Sequence, residues 1–386
     1  MSLARSKAAI VGVGELAPIR RTVGESTLGM LARCAALALT DSGLEKAEID
    51  GLLVGPQVGE TPQHVPATMA EYLGLMPTMS NVVDLGGASG LGMIWRAAAA
   101  IEAGMCEAVL CVIGNHRNSD APRSPNRNPI REFDVPFGAS GANVAYALLK
   151  QAHMAQYGST DADFALIAHW ARANAQLTPE AIFYGQPASV DEILASPMIA
   201  APLHKFEIVM PVAGAEAVIV TSAKRAKDRG MTAVHLLGAG EKITHRAVSQ
   251  APDLTSGPLK PSMARAFAQS GTRVQDMSLL SLYDCYTVMV ATTLEDSGIC
   301  PPGGFGAFMR DHDFGPAGRY PMNSNGGQLG FGQPDLAGGM VHVVDAVHQL
   351  RGTATGRQIQ GAELALVTGN GATMSEAVAL VLGADV

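Results

Sequence analysis

Short runs of aliphatic and β-branched residues alternate along the chain with longer, alanine-rich stretches whose apolar positions recur at helical spacing. That alternation is the pattern of an α/β fold. Residues 7–15 (KAAIVGVGE) read as a buried strand, and residues 26–42 as a helix with Leu28, Leu31, Ala35 and Leu39 on one face and Gly43 as its C-terminal stop. Residues 82–85 predict a short strand, 88–103 a helix and 108–113 another buried strand.

The second half of the chain repeats this order. A helix closing at Ser270-Gly271 mirrors the one closing at Ser42-Gly43, and each is followed within eight residues by an aspartate, Asp276 or Asp50, and an apolar strand. A helix opening at Gly339-Met340 and ending near Gly352 mirrors one opening at Gly92-Met93 and ending near Gly104. EAVLCVIGN, from Glu107 to Asn115, resembles ELALVTGN, from Glu363 to Asn370. These correspondences, all in one order, point to an internal duplication rather than a solenoid, which would need more copies of a shorter period. The expected units are 1–228 and 229–386, the first carrying an inserted segment at about 116–205. That segment is polar and proline-rich from 116 to 132 (HRNSDAPRSPNRNPIRE) and helical at 143–156 and 163–175. A strand at 215–221 then restores the core pattern. Loops of this length are long enough to cover a site.

Composition narrows the class. Hydrophobic residues make up 47% of the 386 and charged residues only 16%, against about a quarter charged in ordinary globular proteins. A large core is therefore available and a disordered chain is excluded. The net charge of −8 argues against nucleic acid as a partner. Five scattered cysteines, Cys34, Cys106, Cys111, Cys285 and Cys300, fit a reducing cytoplasm rather than a disulfide framework. Neither they nor the histidines show metal-ligand spacing, so no metal is expected. The stretch 91–114 is interrupted by Arg96, Glu102 and Glu107 and does not read as a membrane span. No secretory or lipidation signal is read at either end, and a cytoplasmic protein is expected.

The 43 glycines gather in places. Three groups adjoin strands: Gly86-Gly87-Ala88-Ser89-Gly90; Asn323-Ser324-Asn325-Gly326-Gly327-Gln328, continuing to Gly332-Gln333-Pro334; and Gly369-Asn370-Gly371-Ala372. Loops at strand ends are where open α/β sheets bind ligands, with plain tight turns as the alternative. Gly12-Val13-Gly14-Glu15-Leu16-Ala17 has dinucleotide-binding spacing, but Pro18 stands where the helix should begin. The first group lacks the Lys-Ser/Thr ending of a phosphate-binding loop and does not spell the G-x-S-x-G nucleophile elbow.

These loops resemble the motifs of the thiolase superfamily, most closely thiolase-like proteins of the sterol-carrier or lipid-transfer type. The family's Cys-Ala-Ser-Gly turn has its counterpart in Gly87-Ala88-Ser89-Gly90, and its Asn-Glu-Ala-Phe or His-Asp-Cys-Phe loop in Tyr283-Asp284-Cys285-Tyr286. Its Gly-His-Pro loop corresponds to Gly332-Gln333-Pro334, and its C-terminal Cys-x-Gly loop to Gly369-Asn370-Gly371. The resemblance covers essentially the whole chain. It implies an α/β thiolase fold: two duplicated βαβαβαββ halves in a layered α-β-α-β-α arrangement with an inserted loop domain. It also implies a homodimer and an acyl-CoA substrate, coenzyme A entering only as part of that substrate and no cofactor being tightly bound.

The departures matter as much as the matches. The family's nucleophilic cysteine is Gly87 here, so no acyl-cysteine can form at that position. The histidine that polarises the thioester oxygen is Gln333, which donates a hydrogen bond but shuttles no protons. The acid/base cysteine is replaced within Gly369-Asn370-Gly371. What remains suits retro-aldol cleavage of β-hydroxyacyl-CoA thioesters in lipid or sterol metabolism. Tyr283, read as a phenol of lowered pKa, would exchange protons with a hydroxyl or carbanion, with Asp284, Cys285 and Gln333 beside it. Backbone N–H groups around Gly87, Ser89 and Gly371 would hold the enolate oxygen. Ser89 has no histidine placed in sequence to activate it. The resemblance further implies a small OB-fold and zinc-ribbon partner. Arg117, Arg123, Arg127 and Arg131 are candidates for the phosphates of coenzyme A. The alternatives are a non-catalytic acyl-CoA-binding or scaffolding subunit, in which Tyr283 is a packed aromatic, and an acyltransferase using Cys285 as a displaced nucleophile.

Overall fold

The computed structural model describes residues 7–56, 64–117, 135–139 and 141–384. The first half runs β1 (Ala8–Ile19), α1 (Thr27–Ser42), β2 (Gly51–Val54), α2 (Val65–Leu73), β3 (Met79–Val82), α3 (Ser89–Glu102) and β4 (Ala108–Asn115). The inserted segment follows with α4 (Ala142–Tyr157), α5 (Asp161–Ala175), α6 (Val190–Ala195), β5 (Met198–Ala200) and β6 (Leu203–His204). β7 (Ala213–Ser222) and α7 (Ala223–Asp228) complete that half. The second half contains β8 (Val234–Ile243), α8 (Leu259–Ser270), β9 (Leu279–Ser281), α9 (Thr287–Ser297), α10 (Phe305–Asp311), α11 (Gly327–Gly330), α12 (Gly338–Arg351), β10 (Leu364–Gly371) and β11 (Glu376–Ala384).

The strand order β3-β2-β4-β7-β1-β8-β11-β10-β9 is a mirrored pair, with β1 and β8 meeting at the centre. On each side the innermost strand pairs antiparallel with the last strand of its half, that strand pairs antiparallel with the next, and a parallel pairing follows outward. Among the described residues, the second half has no strand answering β3. A single bridge from Leu280 to Met322 stands there instead, and Asn323 extends it by accepting from Leu282 N–H and donating to Leu282 C=O.

Three apolar cores account for the layering. The central one joins the inner faces of both sets of strands, such as Val218, Val220, Val378 and Leu380, to α3 and α12 between them. One outer core packs α1 and α2 on β2, β4 and β7, and the other packs α8 and α9 on β9, β10 and β11. Strands β4 and β7 are buried on both faces, which explains their unbroken apolar runs. The fold is therefore the α/β thiolase fold.

Local chemistry sets the element ends. Ser26 caps α1 by accepting from Gly29 N–H, and Gly43 and Gly271 end α1 and α8 in the left-handed region at φ 68°. Two sequence expectations shift. The strand predicted at 82–85 lies at Met79–Val82, because β2 pairs with those residues while Val83 and Leu85 turn into the central core. The Gly12–Ala17 stretch lies inside β1 itself, where Gly12 and Gly14 let the backbone of α1 approach. The helices of the inserted segment pack on the second half: Tyr146, Leu149 and Phe164 share a core with Val288 and Phe305. A fully buried ion pair pins them there. Lys150 Nζ lies 2.8 Å from Glu207 Oε1, which also accepts from Thr287 Oγ1 at the start of α9.

A second buried carboxylate has no such cation. Glu15 and Glu216 face each other across β1 and β7, and neither Glu216 oxygen has a hydrogen-bond partner among the described residues. Burial pushes Glu15 up from 4.5 to about 7, only partly opposed by Arg357, and pushes Glu216 up as well. The folded state thus favours the protonated pair. Its contribution to stability is full below about pH 4.5 and is lost as pH rises through about 7. Glu15→Gln should remove the Glu15 share of this dependence, leaving that of the buried Glu216, and should melt higher than the parent at pH 8. Equal melting temperatures at pH 8 would refute it.

Candidate active site

The three glycine-rich groups converge. Gly87, Gln333 and Asn370 line one cavity of about 610 Å³, together with Tyr146, Tyr283, Cys285, Tyr286 and Asp335. Close backbone approaches hold the loops together. Gly339 N–H donates to Gly87 C=O, and a Cβ on Gly339 would lie 2.3 Å from that oxygen. Gly86, at φ 54°, packs on Gly371, so a side chain there meets both strain and backbone.

At position 87 itself the space belongs to Tyr283. A Cβ built on Gly87 would lie 1.8 Å from Tyr283 Oη, 2.5 Å from Cζ and 2.7 Å from Asn370 C=O. The phenol thus fills the volume that any side chain at position 87 would need. Thr368 Oγ1 accepts from Tyr283 N–H at 2.9 Å, and Gln333 Nε2 donates to Tyr283 Oη at 3.3 Å. Because Gln333 donates, the phenolic proton is free to point elsewhere. The expectation of a lowered phenol pKa is overturned: burial, with Cys285 nearby, pushes Tyr283 well above its ordinary range. It is a proton donor at neutral pH, not a resident phenolate.

Asp284, predicted to work beside Tyr283, does not line the cavity. It is fully buried, accepts from Gln328 N–H at 2.7 Å and lies 3.1 Å from His342 Nε2. Its carboxylate therefore holds the start of α11, in the loop that leads to Gln333. Cys285 does line the cavity, but burial pushes its thiol up. A thiol held protonated is a poor nucleophile, which leaves a displaced acyl-cysteine without its thiolate. Ser89 is also fully buried, bridging Leu85 N–H and Gly86 C=O, and serves the turn. Gly371 packs beneath the Gly86 turn rather than facing the cavity.

Several lining residues escaped sequence reading. Asp335 follows Gln333-Pro334 directly and adopts a left-handed φ of 48°. Its carboxylate is held by Asn115 Nδ2, and burial raises its pKa against the pull of Asn115 and Arg117. It is the only carboxylate among the described lining residues. Its place beside the Gln333 motif was the available signal. The opposite wall is a stack of Tyr146 on Tyr286, with centroids 4.0 Å apart. Tyr286 Oη donates to Asn143 Oδ1 at 2.6 Å. Tyr146 comes from α4, and no local motif announced it. Of the predicted phosphate-binding arginines, Arg117 is exposed near Asp335, while Arg123, Arg127 and Arg131 lie outside the described residues. Arg246, exposed at the rim, is a lining cation the sequence reading did not name. No group of His, Cys, Asp and Glu suited to a metal occurs among the described residues, and no described helix is long and apolar enough to cross a membrane.

The Gly87–Tyr283 contact makes a direct prediction. Gly87→Ala should destabilise the fold by about 1–3 kcal/mol through overpacking. In a cycle with Tyr283→Ala, the double variant should be destabilised by less than the sum of the singles, by about 1–3 kcal/mol. Additive effects in denaturant unfolding would count against the contact.

Known proteins resemble this chain along its whole length. Residues 240–384 match the family described as "Thiolase C-terminal domain-like". The chain is 28% identical over 401 aligned residues to "Steroid side-chain-cleaving aldolase" of Thermomonospora curvata, with 100% of both chains covered. It is 29% identical to "17-hydroxy-3-oxo-4-pregnene-20-carboxyl-CoA lyase" of Mycobacterium tuberculosis, covering 98% of this chain and 99% of that one. Among solved structures, "Ltp2-ChsH2(DUF35) aldolase" superposes with a TM-score of 0.89 at 27% identity, covering 98% of each chain. In its fold, its loops and its relatives alike, the chain is similar to the thiolase superfamily, and to its thiolase-like proteins of the sterol-carrier and lipid-transfer type.

Proposed function

We propose that this protein is a lyase that cleaves the Cα–Cβ bond of a β-hydroxyacyl-CoA by a retro-aldol reaction, in lipid or sterol metabolism and without an acyl-cysteine. The observation that carries this reading is Tyr283 Oη standing in the side-chain volume of position 87, in one cavity with Gln333 and Asp335. A protonated phenol there is a proton donor where thiolases need a nucleophile. The relatives' names, an aldolase and a CoA lyase, support the same chemistry.

The step closes without an added reactant. The Asp335 carboxylate takes the proton of the β-hydroxyl, whose electron pair forms the new carbonyl as the Cα–Cβ bond breaks. The bonding electrons pass into the thioester as an enolate. The positive end of α3, which begins beside Gly87, favours that charge. Tyr283 then gives its proton to Cα, Gln333 Nε2 stabilises the transient phenolate, and Asp335 returns the hydroxyl's proton to Tyr283. A carbonyl product and a shortened acyl-CoA leave. The Tyr146–Tyr286 stack, Ile208, Val209 and Leu336 offer the acyl chain an apolar wall. Arg246 and Arg117 are the described cations placed for coenzyme A phosphates. We include in this reading a homodimer, a cytoplasmic location and a small OB-fold and zinc-ribbon partner. The partner draws support from the two-component name of the solved relative.

The test is mass spectrometry of β-hydroxyacyl-CoAs incubated with the full chain, alone and with its co-expressed small partner. Carbonyl product and shortened acyl-CoA should form in equal amounts; absence of both in both arms ends the proposal. Tyr283→Phe and Asp335→Asn should each lower kcat by about 10²–10⁴-fold. Activity should fall as pH drops through the Asp335 pKa, which lies above the ordinary carboxylate value. No alkaline loss from Tyr283 should appear below about pH 10, because the phenol must stay protonated and burial raises its pKa. An alkaline limb near neutrality that vanishes in Tyr283→Phe would contradict its role as acid.

A further inference from the structure

Asn370 lines the cavity with 2% of its surface exposed, and its Oδ1 has no hydrogen-bond partner among the described residues. The orientation of this amide is decided by its neighbours. Tyr146 Oη has one proton, which it donates to Ala372 C=O at 2.9 Å. Toward Asn370 it can therefore only accept, and Asn370 Nδ2 donates to it at 2.8 Å. The stacking of Tyr146 on Tyr286, itself hydrogen-bonded to Asn143, keeps that hydroxyl in place. Oδ1 is thus a fixed acceptor on a buried side chain. A buried acceptor left unpaired is costly, and a ligand that supplies a donor relieves that cost on binding.

The position says which end of a ligand would do so. Asn370 C=O and Tyr283 Oη both crowd the missing Cβ of Gly87, so Asn370 stands at the reacting end of the cavity rather than at its rim. We propose that Asn370 Oδ1 accepts the hydrogen bond of the substrate's β-hydroxyl and so selects β-hydroxyacyl-CoA over its saturated and β-keto counterparts. The identity of this ligand rests on the retro-aldol reading. A saturated chain leaves Oδ1 unpaired. A β-ketone presents lone pairs to it. An amide takes no proton at neutral pH, so Asn370 serves the binding of the ground state, and the hydroxyl's single proton turns from Oδ1 to the Asp335 carboxylate before it is removed.

Binding rather than turnover tests this. In a Tyr283→Phe background, calorimetric titration of the full chain should show 3-hydroxybutyryl-CoA binding about tenfold more tightly than butyryl-CoA or acetoacetyl-CoA, the size expected for pairing one buried acceptor. Asn370→Leu should erase that preference by weakening the hydroxylated ligand while leaving butyryl-CoA within about twofold, as one removed hydrogen bond predicts. Where Leu does not fold, judged by thermal unfolding, Asn370→Ala serves with the same expectation. A preference that survives either change overturns the proposal. So does an equal loss for all three ligands, which would place the Asn370 contact on the pantetheine arm. Cleavage by the parent protein without any binding preference sinks this inference and leaves the retro-aldol reading intact. A preference without cleavage does the reverse.

Discussion

Two atoms cannot share one place, and that exclusion between Tyr283 and position 87 organises the site. With the phenol 1.8 Å from where a Cβ would sit, only glycine is compatible with the tyrosine, and the tyrosine fills the gap that glycine leaves. The absence of a cysteine at position 87 is therefore one half of a packing solution, not a simple loss. Thr368 behind the backbone of Tyr283 and Gln333 beside its hydroxyl fix where the phenol points.

The layered fold is what delivers these loops to one point. Helices α3 and α12 lie between the two sets of strands and begin side by side, with Gly87 C=O accepting from Gly339 N–H. Neither of these glycines could carry a side chain without moving the other helix or the tyrosine. The duplicated halves do not contribute equally, however. The first supplies the Gly87 turn, whereas Tyr283, Gln333, Asp335 and Asn370 all come from the second. The cavity wall made by Tyr146 comes from the inserted segment, which the buried Lys150–Glu207 pair ties to the start of α9, just after Tyr286. Removing one partner of such a pair strands a buried charge, so the wall's position is coupled to the site loop through a contact that breaks only at high cost.

Much of this was legible in the sequence because it follows from local rules. Amphipathic spacing and the glycines at 43 and 271 gave the helices and their ends, and the resemblance of the loops to thiolase motifs singled out Gly87, Tyr283 and Gln333, which line one cavity. The misreadings have a common physical source. The strand at 79–82 is chosen by its partner β2, not by its own apolar content, so the more hydrophobic 82–85 misled. Asp284 looks chemical in sequence but spends its oxygens on backbone N–H groups of α11. The phenol's raised pKa depends on a burial that no local pattern reports. Asp335 and Asn370 sat beside recognised motifs, yet their roles depend on tertiary partners, Asn115 for one and Tyr146 for the other.

Exchanging a thiolate for this set of groups changes what the cavity can reward. A nucleophile attacks a carbonyl carbon and needs a ligand bearing one there. A protonated phenol, a single carboxylate and an oriented amide oxygen instead favour a ligand that brings a proton of its own and returns it to carbon within the same turnover. Such a cycle consumes no second substrate, so the cavity has no need to admit the free thiol that thiolysis requires. The proposed cycle needs the phenol kept protonated between turnovers, and the burial that raises its pKa does that without any further device. The same burial that disables Cys285 as a nucleophile thus maintains Tyr283 as an acid, and one property of the cavity accounts for both the chemistry it has given up and the chemistry it retains.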